Sequence, residues 1–299
     1  MHPLFRAAAL GIQRGFNGFD PASRGPLRPF VSTAHHPIFV IGAPRTGSTL
    51  LYQFMIQQLH VSYISNLMGL VPNRMTLMAR LARRPMARPR ELRESDYGFV
   101  PGIFSPSEAG AIFRRWFGDA LPAARHTQVR NTFALLAEIA DAPVLTKNLM
   151  NSLRLPGIRQ VLPEARFIHV RRDPLFAAQS IWLARRRHFG NDREWFSVEP
   201  PGHEAVRAKS PAFQVMWQVR EIEAGIARFI AECSPSAIEI DYEDLCRNPS
   251  AAMQSISGSF GLRPREVPPP APVTVSETVA LSPTEWRDLE RHHAELFAP

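Results

Sequence analysis

The 299-residue sequence is poor in lysine, in cysteine and in long apolar runs, and the last two shortages each exclude a class of protein. Its two cysteines, Cys233 and Cys246, are too few for a disulfide framework or for a zinc site with four cysteine ligands. No segment approaches the roughly 18 uninterrupted apolar residues of a membrane-spanning helix, so we expect membrane contact to be peripheral at most. The apolar fraction of 45% is nevertheless high enough for a folded core.

The lysine shortage leaves a charge that is carried almost wholly by arginine. Only two of the 35 basic residues are lysines, Lys147 and Lys209, and the formal net charge is +8. Such a balance is compatible with nucleic acid, an anionic lipid surface or a polyanionic small molecule as partner. It does not choose between them, because scattered arginines commonly form a solvated surface.

From Pro37 onward, short apolar runs alternate with stretches of helical periodicity. The runs predict strands at 37–41, 143–146, 166–170 and 237–240, and the periodic stretches predict helices at 47–60, 131–140, 153–162, 174–187, 213–232, 249–260 and 282–297. Strands that alternate with helices predict an α/β fold of three layers, in which helices flank a mainly parallel central sheet. Asn151 or Ser152 is expected to cap the helix at 153–162.

The remaining segments predict how the chain is divided. Residues 1–34 are interrupted by glycine and proline and are expected to form an N-terminal arm, followed by one domain over 35–299. Residues 61–130 show no strand pattern, so we expect helices and loops inserted over the sheet. Their aromatic residues suggest an apolar cover for an acceptor pocket. Residues 264–299 predict a proline-rich connector and a last helix.

The loop after the first predicted strand is the first functional signal. Residues 42–49 have the pattern of a phosphate-binding P-loop, with Gly42 and Gly47 in place but Ser48 where the P-loop lysine belongs. Backbone N–H groups and the positive end of the following helix favour a bound anion. Because the missing lysine contacts the β- and γ-phosphates in nucleotide triphosphatases, that chemistry is disfavoured.

A second basic motif follows the strand at 166–170. Arg172 closes this strand, and Ser180 lies eight residues further on, in the next predicted helix. Together with the loop, this pair resembles the 3′-phosphoadenosine 5′-phosphosulfate (PAPS)-dependent sulfotransferases, particularly their bacterial and glycan-modifying branch. Residues 145–151 and 241–249 resemble further segments of that family, so the resemblance covers about 37–262.

The resemblance implies a P-loop-like fold, PAPS as sulfonate donor and no metal. It places the donor's 5′-phosphosulfate on Arg45, Thr46, Gly47, Ser48 and Thr49, and its 3′-phosphate on Arg172 and Ser180. The late basic segment that completes the 3′-phosphate site in cytosolic members is not evident in this sequence, and Arg263 and Arg265 are only a loose substitute for it. Trp182 or Trp217 would be available to stack on the adenine, with burial in the core as the other interpretation.

The resemblance also implies roles in catalysis. Lys147 and Arg45 would face the charge that develops on the transferred group, and Glu108 is the first choice for the general base. An ordinary helix N-terminus is the competing interpretation of Glu108, because Ser-Pro-Ser-Glu also begins helices. His126 and Asp96 are the other candidates for the base.

The predicted reaction is transfer of a sulfonate to a hydroxyl, with an amine as second choice, of a small molecule, lipid or saccharide. Cytoplasmic location is expected, because no signal peptide is recognised and the donor is intracellular. Two alternatives stay open at this point. A small-molecule kinase would require Mg²⁺ and ATP, and an arginine-rich nucleic-acid-binding protein would show a steep salt dependence. The oligomeric state is not predicted.

Overall fold

The computed structural model describes residues 19–87, 100–118, 121–233 and 236–298, and within them five strands form one parallel sheet. In chain order these strands are β1 Ile38–Ile41, β2 Ser62–Tyr63, β3 Val144–Lys147, β4 Arg166–Arg171 and β5 Ser236–Asp241. In the sheet they follow the order β2-β3-β1-β4-β5, and every pairing is parallel. The predicted α/β class with a parallel central sheet is therefore confirmed.

The register brings three strand ends to one edge of the sheet. Ile38 lies opposite Leu145 on one side and Arg166 on the other, so β1 is central and pairs with both β3 and β4. All four residues of β1 are buried, as its unbroken apolar sequence predicts. The loop after β1, the last residue of β3 and the residues after β4 therefore meet at the carboxyl edge of the sheet, where open α/β sheets bind ligands.

Helices pack against both faces of this sheet. In chain order they are α1 Ser48–Gln58, α2 Asn66–Leu70, α3 Met75–Ala87, α4 Gly110–Phe117, α5 His126–Ala140, α6 Leu155–Val161, α7 Pro174–Phe189, α8 His203–Val206, α9 Pro211–Cys233, α10 Tyr242–Arg247, α11 Pro249–Phe260 and α12 Pro283–Leu296. Short 3₁₀ turns connect several of them, at Pro21–Ser23, Thr33–His35, Pro72–Arg74, Ala123–Arg125 and Leu149–Leu153. Helices α1 and α11 contact each other and the sheet, and α5 contacts β2 and β3.

The aromatic residues of α4 lie in the core rather than in a cover over an acceptor. Phe113 and Phe117 surround Phe39 of β1, with ring centroids 6.4 and 5.7 Å away. Phe133 and Phe167 complete the cluster, each with its ring centroid 5.9 Å from that of Phe39. The expectation of an aromatic-lined cover over 61–130 is therefore wrong for α4, because its apolar stripe is used to cover one face of the sheet.

Two further sequence expectations are corrected. Ser62 and Tyr63 form the edge strand β2, in a region where the sequence showed no strand pattern, because two residues are too few for a periodic signal. Neither Asn151 nor Ser152 caps α6: the 3₁₀ turn Leu149–Leu153 precedes it, and Asn148 caps that turn through Met150 N–H at 3.0 Å.

The described part of the N-terminal segment lies against the domain. Asn131 of α5 accepts a hydrogen bond from Arg28 N–H at 2.8 Å and donates to the carbonyls of Ser23 and Pro26. Asp20 accepts hydrogen bonds from the N–H and hydroxyl of Thr76, both at 2.7 Å. Within the described residues, no helix is both long enough and apolar enough to cross a membrane.

Candidate active site

A cleft of about 330 Å³ lies at the carboxyl edge of the sheet, where the ends of β1, β3 and β4 meet. Its lining contains eight of the nine site residues that the sequence predicts: Arg45, Gly47, Ser48, Thr49, Glu108, Lys147, Arg172 and Ser180. Since these residues come from four separate segments of the chain, the fold brings the predicted motifs into one place.

The loop between β1 and α1 begins the cleft. Gly47 has a φ of 85° and is the N-cap residue of α1, which has no side-chain cap. A Cβ on Gly47 would lie 2.3 Å from Cδ2 of Tyr242, so the close packing of this ring against the loop also requires glycine. The positive end of the α1 dipole is thus directed at the cleft, which favours an anion there.

Arg45 connects this loop to the second basic motif. Its Nε donates a hydrogen bond to Ser180 Oγ at 2.9 Å, and its carbonyl oxygen accepts one from Arg172 Nη1, also at 2.9 Å. Its φ of 70° places it in the left-handed region, which is uncommon for a residue with a side chain. The backbone is therefore held in a strained form that turns Arg45 toward α7.

Arg172 lies between the loop and a segment near the C-terminus. Its guanidinium lies over the ring of Tyr242, with Cζ 4.5 Å from the ring centroid, and Nη2 donates to the carbonyl of Ser276. Its Nε atom is buried and has no hydrogen-bond partner. Burial raises the pKa of Tyr242, and its contact with Cys246 raises the pKa further, so the phenol stays protonated at neutral pH.

Lys147 and Glu108 form an ion pair on the opposite side of the cleft. Nζ of Lys147 contacts Oε1 of Glu108, the lysine side chain is buried, and the carboxylate is partly exposed. Asn148 Nδ2 donates to the Glu108 carbonyl at 2.9 Å, which holds the backbone of this residue beside the end of β3. Glu108 precedes Ala109, the N-cap residue of α4, and therefore lies outside the first turn of that helix. Its carboxylate pairs with Lys147 instead.

Beneath the loop, side chains bind its first backbone amides. Ser152 Oγ accepts from Gly42 N–H at 3.1 Å, and Glu223 Oε1 accepts from Ala43 N–H at 3.1 Å. The other oxygen of Glu223 lies 2.7 Å from Nε2 of His169, which is buried in β4. These contacts fix the start of the loop relative to β4 and α9.

Several residues that the sequence analysis named lie outside the lining of the cleft. Thr46 is buried and outside its lining, because its hydroxyl donates to the Ala43 carbonyl at 2.9 Å and so serves the loop itself. Trp182 and Trp217 do not line the cleft either. Arg263 and Arg265 lie at the opposite end of the sheet, in another cavity. His126 begins α5 and is not in the lining, and Asp96 lies outside the described residues.

The lining also contains residues outside every segment that the sequence motifs cover, among them Phe196, Ser197 and Ser276. All three belong to irregular segments, which have no periodicity to indicate where they fold. Ser197 has a φ of 70°, but serine in a loop is too common to signal a site. Among the described residues there is no group of three His, Cys, Asp or Glu side chains able to hold a metal ion.

The parallel sheet, the flanking helices and the loop after β1 define an α/β protein with a P-loop-like fold. The sequence model of the sulfotransferase family matches residues 37–266, and the chain belongs to this family. A search of curated proteins finds no match.

Similar solved structures include sulfotransferases from bacteria. STF9 from Mycobacterium avium is 15% identical, with a TM-score of 0.50, and the alignment covers 89% of this chain and 69% of that one. STF1 from Mycobacterium tuberculosis H37Rv is 14% identical, with a TM-score of 0.48 and coverage of 96% and 76%. A sulfotransferase from Alicyclobacillus acidocaldarius is 14% identical, with a TM-score of 0.43 and coverage of 88% and 96%. At such identities the likeness to STF9 shows a shared fold.

Proposed function

We propose that this sulfotransferase transfers a sulfonate from PAPS to a hydroxyl of a small molecule, lipid or saccharide, with an amine as the second choice of acceptor. The observation that carries the proposal is the joining of two anion-binding motifs in one cleft. The hydrogen bonds of Arg45 to Ser180 and of Arg172 to the Arg45 carbonyl connect the loop after β1 with the end of β4. A donor with anionic groups at its 5′ and 3′ ends requires such a double site.

The residues present fit this donor. Gly47, Ser48 and Thr49 would hold the 5′-phosphosulfate at the start of α1, which has no side-chain cap of its own. Arg172 and Ser180 would hold the 3′-phosphate, and the buried Arg172 Nε has no partner within the protein. Of the predicted donor-binding residues, Thr46 would act through the shape of the loop, since its hydroxyl is bound to Ala43.

The reaction breaks the bond between sulfur and the bridging phosphate oxygen, forms a bond from sulfur to the acceptor oxygen, and releases the acceptor proton. Arg45 and Lys147 supply positive charge where negative charge develops, which lowers the barrier electrostatically. Glu108 is the general base that receives the proton, because its carboxylate lies beside the Lys147 ammonium and at the open side of the cleft. Arginine and lysine provide the positive field, so the proposal needs no metal ion.

We propose a cytoplasmic location, because the donor is intracellular. We also propose that the protein binds no nucleic acid specifically. The acceptor enters the cleft beside Glu108, and the lining of this cleft includes apolar surface from Leu50, Leu149, Met150 and Phe196. That lining is compatible with amphipathic acceptors.

Calorimetric titration with 3′,5′-ADP, ADP and ATP, each with and without Mg²⁺, tests the proposal. We expect 3′,5′-ADP to bind at least about tenfold more tightly than ADP, since charge-assisted contacts to the 3′-phosphate contribute about 1.5–3 kcal/mol each. Binding should not require Mg²⁺. Equal affinity for 3′,5′-ADP and ADP would refute the donor assignment, and a Mg²⁺-dependent preference for ATP would favour a kinase.

An acceptor screen with sulfur-labelled donor completes the test. Pools of phenols, aliphatic alcohols, glycolipids, saccharides and amines are offered, and transfer of label is measured. Binding of polynucleotides with a steep salt dependence, together with no label transfer to any pool, would favour the nucleic-acid alternative.

A further inference from the structure

Ala43, the second residue of the loop after β1, is fixed through both of its backbone polar groups. Its N–H donates to Glu223 Oε1 at 3.1 Å, and its carbonyl accepts from the Thr46 hydroxyl at 2.9 Å. Glu223 lies on α9, 180 residues further along the chain. The loop therefore starts from a peptide unit that a distant helix holds in place.

The backbone that follows Ala43 has little freedom and is strained. The ring of Pro44 restricts its own φ, and Arg45 and Gly47 have φ values of 70° and 85°. A non-glycine residue in the left-handed region persists only where its surroundings hold it there. A fixed Ala43 is one of the constraints that keep this form, in which the uncapped start of α1 faces the cleft.

Glu223 is itself outside the cleft. It does not belong to the lining, so its influence on a ligand bound there passes through the loop. A carboxylate beneath an anion-binding loop also repels the anion. The hydrogen bond from Ala43 N–H offsets this repulsion, and it accounts for an acidic side chain at a place where charge alone disfavours one.

His169 fixes the direction of the Glu223 carboxylate. Its Nε2 lies 2.7 Å from Oε2 of Glu223, and its side chain is only 4% exposed. In the sheet it stands opposite Ile41, the last residue of β1, and opposite Glu239 of β5. Its Nδ1 lies 3.3 Å from the Glu239 carboxylate. The ring is therefore held between two acidic side chains and cannot turn without leaving one of them.

We propose that Glu223 is a positioning residue for donor binding: by holding Ala43, it keeps the loop in the form that receives the 5′-phosphosulfate. His169 acts one step further away, by orienting Glu223. The inference rests on the proposed function, since PAPS is the ligand that the loop would receive. When Ala43 is released, the loop spends part of its time in other forms, and the apparent dissociation constant rises as the fraction in the binding form falls.

Two substitutions at Glu223 separate its hydrogen bond from its charge. Glu223→Gln keeps an oxygen that accepts from Ala43 and removes the negative charge, whereas Glu223→Leu removes both. Titration calorimetry with 3′,5′-ADP measures the two variants. We expect Glu223→Leu to bind at least about fivefold more weakly than wild type, because a buried N–H loses its partner. Glu223→Gln should bind within about twofold of wild type, or more tightly.

Gln214→Leu, on the same helix, is the matched control. Gln214 is buried, its Oε1 accepts from the buried Arg185 at 2.8 Å, and neither residue lines the cleft. Since both substitutions leave a buried donor without its partner, urea unfolding should show that Gln214→Leu and Glu223→Leu are destabilised alike. Affinity for 3′,5′-ADP should fall in Glu223→Leu alone. A merely structural role for Glu223 would lower the stability of both variants and the affinity of neither.

His169→Leu tests the second step. It leaves Glu223 in place and removes the ring that orients it, so we expect a smaller loss of 3′,5′-ADP affinity, about two- to fivefold. The double variant His169→Leu with Glu223→Leu should bind no more weakly than Glu223→Leu alone, because His169 acts through Glu223. Losses that multiply would overturn the role assigned to His169.

Hydrogen exchange at the Ala43 amide, measured by NMR without any ligand, reports on the loop itself. It should be faster in Glu223→Leu than in wild type or in Gln214→Leu, and equal rates would contradict the inference. If the wild-type protein does not bind 3′,5′-ADP, the proposed function fails, and exchange at Ala43 still decides whether Glu223 holds the loop.

The inference alone is wrong, and the proposed function stands, if wild type binds 3′,5′-ADP and Glu223→Leu binds it as tightly as Gln214→Leu does. The same holds if Glu223→Gln loses as much affinity as Glu223→Leu, since the retained oxygen should preserve the contact with Ala43. Should Glu223→Leu fail to fold, the affinity of His169→Leu decides instead.

Discussion

Arg45 Nε donates a hydrogen bond to Ser180 Oγ across 2.9 Å, although the two residues lie 135 positions apart in the chain. The contact joins the loop after β1 to α7, the helix that follows β4. It exists because β1 and β4 are neighbours in the sheet and run parallel, so that both segments leave at the same edge.

Arg172→Gln should remove most of the preference for the 3′-phosphate. We expect 3′,5′-ADP to bind about 10- to 100-fold more weakly, with little change for ADP, because one charge-assisted contact is lost. The matched control is Arg171→Gln, since Arg171 is exposed, pairs with Glu239 and does not line the cleft. Titration calorimetry of both variants with both nucleotides measures the difference. Equal losses for the two nucleotides would argue against 3′-phosphate binding by Arg172.

Lys147→Met should abolish most turnover while the protein stays folded. Removal of one positive charge from the reacting centre commonly lowers kcat by about 10²- to 10³-fold. The chain has only one other lysine, the exposed Lys209, and Lys209→Met is therefore the control. Initial rates with labelled donor are compared at saturating donor and acceptor. If kcat of Lys147→Met lies within about twofold of the wild-type kcat, Lys147 has no role in the mechanism.

Glu108→Gln should lower kcat by about 10²- to 10⁴-fold, the range typical of a lost general base. Affinity for 3′,5′-ADP should change little, because the proposed contacts to the donor's phosphate groups come from other residues. Glu138→Gln, on the exposed side of α5, is the matched control. If Glu108→Gln turns over as fast as this control, another group accepts the proton, and His126 and Asp96 become the next variants to measure.

Gly47→Ala should destabilise the loop by about 1–3 kcal/mol, because an L-residue at a φ of 85° is strained and its Cβ would overlap Tyr242. Gly258→Ala is the control, since a Cβ there meets no atom within 4 Å and the position is helical. Urea unfolding measures both variants. Gly47→Ala should also weaken donor binding, because the loop is distorted. If overlap with Tyr242 is the main cause, the double variant Gly47→Ala with Tyr242→Ala should bind the donor more tightly than Gly47→Ala does.

Acid should weaken the attachment of α12 to α7. Hydrogen bonds from Arg186, and next from Ser282, lower the pKa of Glu285 to about 2 from 4.5. A carboxylate whose pKa is depressed on folding contributes stability above its unfolded pKa, and the contribution is lost as pH falls from about 4.5 toward about 2. Glu285→Gln should therefore cost up to about 1 kcal/mol at pH 7, since the pair is partly exposed, and almost nothing near pH 2.

Unfolding in urea at several pH values follows this difference between wild type and Glu285→Gln. Glu295→Gln, near the other end of α12, serves as the control. A difference that grows as pH falls would contradict the assignment.

Most regular elements were predictable because their signals are local. The apolar run of β1, Pro174 at the start of α7, and the Pro249–Phe260 helix all match the sequence expectations, since periodicity and proline placement act within a few residues. The two-residue strand β2 was missed because it lacks such a local signal: it is defined by its pairing with β3, which lies far away in the chain.

The candidate site was predictable where its residues belong to a short local motif. The loop at 42–49 and the Arg172–Ser180 spacing are local patterns, and the structure places both in one cleft. The position of Arg263 and Arg265 was not predictable, because a basic pair in a connector has no signal for which end of the sheet it reaches. The loop pattern did not indicate that the Thr46 hydroxyl donates to the Ala43 carbonyl, because such a pattern specifies residue types but not which side chains turn inward.

By itself, the sequence determined the kinds and order of most elements, the loop with the P-loop pattern and the few residues suited to the proposed chemistry. Only the tertiary structure decided that Glu108 lies on Lys147, that Ser276 contacts Arg172, and that Arg263 and Arg265 lie at the opposite edge of the sheet. The physical reason is that contacts between distant segments depend on strand order. The strands are paired as β2-β3-β1-β4-β5, and that order follows from packing the whole core, not from any one segment.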